Sequence, residues 1–450
     1  MVRGFFFAPV NYDEGWNVYA ADRMGRGLKL YAVPHGLITV NYPFLSFWVY
    51  VRLHHFTHDY LFTARFVSFV SLITASVFAG AIVRALGASK RSGLLTGLFL
   101  FAVFCANADS YVAMDDPQIF ALAFYSAGLY VYVRTRLRTS RIPGLTLAAL
   151  LFLVGFYIKQ VEVDFVLAAV VDLAWISVPA AGYLSGCCVG FGLLGLWLTR
   201  LVGGPYYLAQ FFAPRTYSME EALLKCGLYL GPILLPLCLA TFAAWRLRKD
   251  AERRLAALLF AISLAMGMYF SGGSGVGRNA LFSATYALAL LLGLFPFTRV
   301  ANRARRGLEG PLGTVVFCWL LIPLAVSGHL NPVRSLRQLR QSASVFQQGV
   351  ELMRSRPGEA LCEDLLACYA AGKPYVYDPF NATRMFHFGL VSEAPLLDAV
   401  EHQQYSSIEF EHLDPGPPMP ERFEPRLTET IYSHYRLAFD HKGFQLYVPQ

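Results

Sequence analysis

Charged side chains are scarce in this chain. They account for 15% of its 450 residues, whereas hydrophobic residues account for 56%. The sequence also has no internal repeat and no low-complexity tract. The chain also contains apolar runs long enough to cross a hydrocarbon core of roughly 30 Å. Together with the low charge, these runs exclude an ordinary soluble protein. We therefore predict a polytopic α-helical membrane protein.

Apolar segments of spanning length recur along most of the chain. The predicted spans are residues 62–86, 92–107, 117–135, 143–158, 161–178, 179–199, 224–245, 255–271, 278–298 and 311–328. Basic residues cluster in alternate connections, around Arg84, Arg134, Arg246 and Arg299. Because basic connections stay in the cytoplasm, the other connections are predicted to lie outside.

This orientation divides the chain into three parts. Residues 1–60 form an external first loop, residues 61–328 the bundle, and residues 329–450 an extracytoplasmic domain. An external first loop requires an earlier crossing of the membrane, and MVRGFFF is too short for a span or a complete signal peptide. We therefore expect a further helix upstream of Met1.

The C-terminal part has its own charge balance. Residues 331–450 contain 11 Lys or Arg against 15 Asp or Glu, although the whole chain has a net charge of +8. The positive excess therefore reflects membrane topology, and no nucleic-acid partner is indicated. PYVYDPF (374–380) and FQLYVPQ (444–450) are predicted strands, and VSEAPLLDAVEHQQ (391–404) is a predicted helix. These elements predict a small α/β or α+β domain.

Two pairs of adjacent carboxylates, Asp13-Glu14 and Asp115-Asp116, lie in predicted external loops. Each pair precedes a predicted helix, so capping is the simplest explanation, but capping accounts for one carboxylate and not four. The helix after Asp13 is predicted to lie along the membrane surface. The four groups suit either a general base with an orienting partner or a divalent-cation site that includes Asp13 and Asp116. The sequence leaves both open.

Several other side chains fall at span boundaries or within spans. Lys159 and Arg278 lie at boundaries on the predicted outer face, where each is able to contact a lipid phosphate or simply to extend to the interface. The run Gly272–Gly277 follows a helix and not a strand, so it indicates no nucleotide fold. Asp172 falls within a span, where we expect a structural hydrogen bond.

Histidine and cysteine patterns point to no specific chemistry. His54, His55 and His58 have a spacing that suits zinc on a helix, but no Glu follows the first one, so surface histidines are the better interpretation. Cys362 and Cys368 lie in the predicted external domain, where disulfides form. Their spacing does not show whether their Cα atoms are close enough for a bond.

The first external loop resembles that of a known superfamily. YDEGWNVYAADRMGRGLKLY followed by NYPFLSFWVY is similar to the first loop of the GT-C superfamily of polyprenyl-phosphate-sugar-dependent glycosyltransferases, which includes the aminoarabinose and protein O-mannosyl transferases. MDDPQIFALAFYSAGLYVYVR resembles the second acidic loop of that superfamily, and the similarity continues through YIKQ to AGKPYVYDPF and LYVPQ. The resemblance implies a GT-C type bundle in the inner (plasma) membrane with a small extracytoplasmic C-terminal domain.

The resemblance also implies an activity and residue roles. A sugar would move from a polyprenyl phosphate to a lipid, glycan or protein acceptor outside the cytoplasm, with inversion and without a nucleotide or redox cofactor. Asp13 would be the base, Glu14 would orient the acceptor or the loop, and Asp116 would be the acidic residue of the second loop. Lys159 and Arg278 would bind the donor phosphate.

One departure from the superfamily pattern lies in the first loop. Relatives such as the aminoarabinose transferases often have a Lys before the loop proline, whereas this chain has Asn41-Tyr42-Pro43. The phosphate contact must therefore come from elsewhere. The alternative interpretation is a membrane transporter in which Asp172 lines a solute path, or a subunit of an envelope assembly, but the sequence shows no inverted repeat.

Overall fold

The computed structural model describes residues 8–295, 332–410, 422–441 and 444–450. The predicted spans from 62–86 to 255–271 are confirmed as helices, and residues 224–245 form two helices joined by a 3₁₀ turn. The described part of span 278–298 is a 3₁₀ turn, Arg278–Leu281, followed by the helix Phe282–Leu294, and its last three residues lie outside the described ranges. The predicted span 311–328 and the residues before Ala8 lie outside the described ranges. The helices of the first part are α1 Asp13–Gly25, α2 Leu45–Thr57, α3 Tyr60–Ala85, α4 Lys90–Asn107, α5 Gln118–Thr135, α6 Ile142–Ile158, α7 Asp164–Ile176, α8 Val178–Gly203, α9 Tyr207–Phe211, α10 Met219–Leu230, α11 Leu234–Leu247, α12 Arg254–Phe270 and α13 Phe282–Leu294.

Three stretches in the described ranges are long and apolar enough to cross a membrane: Tyr60–Ala85, Val178–Gly203 and Met219–Leu247. Many apolar side chains of α8 point outward, and Leu193 and Trp197 are among those exposed. An exposed apolar surface of this kind is typical of helices that face lipid.

Helices α5 and α6 pack closely because glycines remove side chains at their contact. A Cβ on Gly128 of α5 would lie 2.7 Å from the Phe152 ring, and a Cβ on Gly155 of α6 would lie 2.8 Å from the Tyr125 ring. The two helices are antiparallel neighbours, so the loop before α5 and the loop after α6 meet at one end of the bundle. That end carries the candidate site.

The C-terminal domain combines helices with a four-stranded sheet of order β1-β2-β4-β3, in which β1 and β2 are parallel and the other pairs antiparallel. FQLYVPQ and VSEAPLLDAVEHQQ are confirmed as a strand and a helix. Its elements are α14 Pro332–Arg354, β1 Ala360–Cys362, α15 Leu365–Ala370, α16 Pro379–His387, α17 Ala394–Glu401, β2 Ser407–Phe410, α18 Pro425–His434, β3 Tyr435–His441 and β4 Phe444–Pro449.

The predicted strand in PYVYDPF is wrong. Residues 373–378 are irregular, and Pro379 begins α16. This segment packs against the first loop instead of joining the sheet: the Asp378 N–H donates to the Leu37 carbonyl at 2.8 Å, and the Tyr375 ring stacks on Tyr19 with centroids 4.6 Å apart. The apolar pattern therefore reflects a contact between domains.

Helix α1 also differs from the amphipathic surface helix that the sequence predicts. Every residue from Glu14 to Ala21 is buried, so no polar face remains over two turns. The C-terminal domain covers one side, where a Cβ on Gly15 would lie 2.0 Å from the Leu366 nitrogen at the start of α15. Cys362 and Cys368, on either side of that helix start, form a disulfide.

Candidate active site

A cavity of about 660 Å³ lies between the helical part and the C-terminal domain. Asp13, Tyr42, Lys159 and Arg215 line it from the helical part, and Asp378 and Arg422 line it from the C-terminal domain. Carboxylates and cations thus face one shared cavity, as in many catalytic sites.

Asp13 is the first residue of α1, and its half-buried carboxylate faces the cavity. Within the described ranges it accepts no hydrogen bond and forms no ion pair. Burial raises the pKa of Asp13 to about 6, the charge of Asp116 adds to the increase, and Lys159 and Arg422 oppose it. A carboxylate with this pKa is ionised at neutral pH and is more basic than an ordinary aspartate.

Glu14 points the other way and is fully paired. The Arg65 guanidinium of α3 binds it in bidentate fashion at 2.7 and 2.6 Å. Glu14 also accepts the backbone N–H groups of Val10 at 2.7 Å and Asp115 at 3.0 Å. This carboxylate therefore fastens the first loop to α3 and to the second acidic loop.

Asp116 and Lys159 form a buried ion pair where the loops of α5 and α6 meet. The Lys159 ammonium donates to both carboxylate oxygens, at 2.8 and 2.6 Å, and Asp116 also accepts the Gln118 N–H at 2.7 Å. The ammonium lies 4.5 Å from the centroid of the Tyr42 ring. The pair brings a cation to the cavity wall while most of its charge is balanced.

Asp115 is buried behind this wall. Neither of its carboxylate oxygens has a hydrogen-bond partner among the described residues. Burial, followed by the charges of Glu14 and Asp116, raises the pKa of Asp115 well above its usual value. The backbone carbonyl of Asp115 accepts a hydrogen bond from the Asn17 side-chain amide at 2.6 Å.

The structure places Arg278 apart from these residues. Its side chain is exposed in a 3₁₀ turn and does not line the cavity, although the neighbouring Gly277 and Asn279 do. The Gly-rich stretch forms part of the cavity wall, and Gly275 has a φ of +70° where a Cβ would lie 2.2 Å from the Phe380 ring. Glycine is needed there for close contact with the C-terminal domain.

Arg215 is a cavity cation that the sequence analysis missed. In the described part of the chain it forms no ion pair, and its one hydrogen bond goes to the Ser274 carbonyl at 3.4 Å. Arg384 of α16 donates to the Ala213 carbonyl at 3.3 Å and the Pro214 carbonyl at 2.8 Å, which fixes the loop that carries Arg215. No motif in FFAPRTYS signals this role.

The other missed cations are already paired. Lys225 donates to Glu221 at 2.7 Å, and Arg422 donates to Glu363 at 3.2 Å with its guanidinium 4.0 Å from the centroid of the Tyr12 ring. Arg215 is therefore the lining cation with the most charge to offer a bound anion.

The fold that carries this site is similar to those of solved structures. ArnT from Cupriavidus metallidurans bound to undecaprenyl phosphate superposes with a TM-score of 0.63 at 11% identity, over 99% of this chain and 95% of that one. ArnT in the apo state gives a TM-score of 0.63 at 13% identity, over 99% and 94%. The chain has the GT-C fold. The fold expected from the two acidic loops is therefore confirmed.

An Archaeoglobus fulgidus oligosaccharyltransferase tethered to an acceptor peptide with the NVT sequon shares the GT-C fold more distantly. Its TM-score is 0.52 at 10% identity, over 99% of this chain and 70% of that one. No protein-family model and no curated protein sequence matches the chain.

Two further predictions concern residues away from the cavity of this GT-C bundle. Asp172 forms the structural bonds expected of it: the Tyr132 hydroxyl donates to it at 2.8 Å, Arg254 at 3.0 Å, and Arg136 also pairs with it. The His54 ring stacks on Tyr60 with centroids 3.9 Å apart. In the described ranges, no group of three or more His, Cys, Asp or Glu is arranged to hold a metal ion.

Proposed function

We propose that this protein is a GT-C type membrane glycosyltransferase that moves a sugar from a polyprenyl phosphate to an acceptor hydroxyl, with Asp13 as the general base. The observation that carries the proposal is the unpaired Asp13 carboxylate, which faces a cavity that Lys159 and Arg215 also line. The ArnT structure bound to undecaprenyl phosphate supports this donor class.

The chemistry requires one base and a cationic site for the leaving phosphate. Asp13 accepts the proton of the acceptor hydroxyl as its oxygen attacks the anomeric carbon of the sugar. The bond between that carbon and the phosphate oxygen breaks, and the phosphate keeps the electron pair. Arg215 and Lys159 stabilise the charge that develops on this phosphate. Attack from the face opposite the phosphate inverts the anomeric configuration.

The remaining residues of the acidic loops support this reaction. Glu14 holds the loop that carries Asp13, and Asp116 holds Lys159 at the cavity wall. Arg278 lies outside the cavity, so a phosphate role for it would require contact with the lipid head at the rim. The acceptor is a lipid, a glycan or a protein, as the resemblance to the superfamily implies.

The proposal also places the protein in the inner membrane, with the cavity and the C-terminal domain outside the cytoplasm. The apolar outward face of α8 supports the membrane location. The basic connections around Arg84, Arg134 and Arg246 support the orientation.

The test is incubation of the purified protein, in lipid nanodiscs, with a panel of polyprenyl phosphate sugars, with and without divalent cations. We expect release of free polyprenyl phosphate from at least one donor when a hydroxyl acceptor is added. Nucleotide sugars serve as the control and should remain unused. If a thermal unfolding transition shows that the protein is folded and no donor in the panel is consumed, the proposal is contradicted, and a transporter or assembly subunit is favoured.

A further inference from the structure

Helix α1 is held from two sides by the residues of its first turn. On the bundle side, Glu14 binds Arg65, and Asn17 donates to the Asp115 carbonyl. On the other side, Gly15 and Trp16 meet the C-terminal domain. The position of Asp13 at the start of this helix therefore depends on both parts of the molecule.

The contacts with the C-terminal domain are specific polar ones. The Trp16 indole N–H donates to Asp378 at 2.9 Å and lies 3.2 Å from the Thr39 carbonyl. The Tyr19 hydroxyl donates to the Lys373 carbonyl at 2.8 Å one turn later. Trp16 and Tyr19, the two donors to the C-terminal domain, thus lie within two turns of Asp13.

Asp378 lines the cavity but is not free to act as a base. It caps α16 by accepting the Asn381 N–H at 3.0 Å, and it also accepts the Asn381 side-chain amide at 2.6 Å. With the Trp16 bond, both carboxylate oxygens are occupied by donors from the chain itself. The side chain is fully buried, so its hydrogen bonds are not shared with solvent.

We propose that Asp378 is a positioning residue, which holds Asp13 at the cavity through the Trp16 indole, so that the C-terminal domain completes the catalytic site. The inference rests on the proposed function in that it assigns Asp13 the role of base. A small rotation of α1 moves the carboxylate of its first residue away from the acceptor hydroxyl, and misplacement by about 1 Å lowers turnover by about 100-fold.

The test compares Asp378→Asn, Trp16→Phe and the double variant with wild-type protein. The Asn side chain has one acceptor oxygen in place of two, and Phe keeps an aromatic ring but is smaller than Trp and lacks the indole N–H. We expect each single variant to lower kcat by about 10- to 100-fold with KM changed by less than about threefold. Because the two residues act through one bond, the double variant should be no slower than the slower single variant.

Asp59→Asn is the matched control. Asp59 caps α3 by accepting the Phe62 N–H at 2.9 Å and does not line the cavity. This variant should retain wild-type kcat. A control variant as slow as Asp378→Asn, or single effects that multiply in the double variant, would overturn the proposal.

Hydrogen exchange separates this inference from the proposed function. Amide exchange over residues 13–25 should become faster by about tenfold or more in Asp378→Asn and Trp16→Phe, and not in Asp59→Asn. This readout does not require turnover, so it decides the positioning role even if no donor is consumed. Unchanged exchange over α1 in both variants would refute the inference. If the wild-type protein shows no turnover but exchange changes as expected in the variants, only the proposed function is refuted.

Discussion

Helix α5 has a buried charge system at each of its ends, and the two systems differ in how their carboxylates are paired. Beyond its C-terminal end, both oxygens of Asp172 receive donors, from Tyr132 and Arg136 on one side and Arg254 on the other. Beyond its N-terminal end, Asp13 has no partner in the described ranges. Removal of one partner from a buried pair leaves an uncompensated charge and is strongly destabilising, whereas a carboxylate that has no partner is maintained at a cost, which is typical of functional sites.

The same contrast exists between neighbours in the sequence. Asp13 and Glu14 are consecutive residues of a helix, where side chains point about 100° apart. Glu14 therefore reaches Arg65, while Asp13 reaches the cavity. One residue of the pair fixes the loop and leaves the other available for chemistry.

The largest change in stability that we predict concerns the paired end. Asp172→Ala leaves Arg136 without its buried carboxylate, so it should lower the free energy of unfolding by about 3–5 kcal/mol. Asp250 pairs with Arg253 near the same end but is partly exposed, and Asp250→Ala should cost less than about 1 kcal/mol. Thermal unfolding in nanodiscs measures both. Equal losses in the two variants would remove the distinction between buried and exposed pairs.

At the cavity end, two arginines are expected to differ. Arg215→Gln removes a cavity cation without a carboxylate partner and should weaken binding of polyprenyl phosphate by about 10- to 100-fold. Arg278→Gln changes a side chain that does not line the cavity and should weaken binding by less than about threefold. Titration of each variant with polyprenyl phosphate gives the two Kd values. A larger effect of Arg278→Gln would move the phosphate site to the rim.

The pH dependence of turnover should reveal the unpaired carboxylate. Because Asp13 acts in its ionised form and burial raises its pKa to about 6, turnover is lost as the pH falls through that value. At pH 5 about a tenth of Asp13 is ionised, so kcat should be about a tenth of its plateau. Kinetics between pH 5 and pH 8, with folding checked at each pH, provide the test. A flat profile down to pH 5 is inconsistent with Asp13 as the base.

The smallest effect is a gain of stability. The folded state raises the pKa of Asp13 above the value of 3.8, so ionisation favours unfolding, and the wild type loses stability as the pH rises from about 4 to about 6. Asp13→Asn removes this cost and should stabilise the protein by about 1–2 kcal/mol above pH 6, and not below pH 4. Unfolding measured at both pH values tests the sign. A destabilised variant at pH 7 would mean that Asp13 has a structural partner.

The sequence predicted what depends on local pattern. The length of the apolar segments located the helices, and the two acidic pairs pointed to the loops that line the cavity. The meeting of Asp116 with Lys159 was also predictable, because α5 and α6 are neighbours in the chain. It failed where a contact joins distant segments. Trp16 and Asp378 are 362 positions apart, and the pattern around Asp378 was misread as a strand. No local signal reports such a contact.

Side-chain direction was a second limit. Arg278 lies in a loop that lines the cavity, but its own side chain points elsewhere, whereas Arg215 enters the cavity because Arg384 fixes its loop from the other domain. Position in the chain gives the neighbourhood of a side chain, and tertiary contacts give its direction. The same limit applies to Glu14, whose partner Arg65 lies 51 positions away.

The most direct test of the central claim is the turnover of Asp13→Asn. The variant keeps the shape of the side chain but lacks the base, so kcat should fall by about 100- to 10,000-fold while polyprenyl phosphate binds with a Kd close to that of the wild type. Wild-type turnover in a folded Asp13→Asn protein would contradict the assignment of Asp13 as the general base.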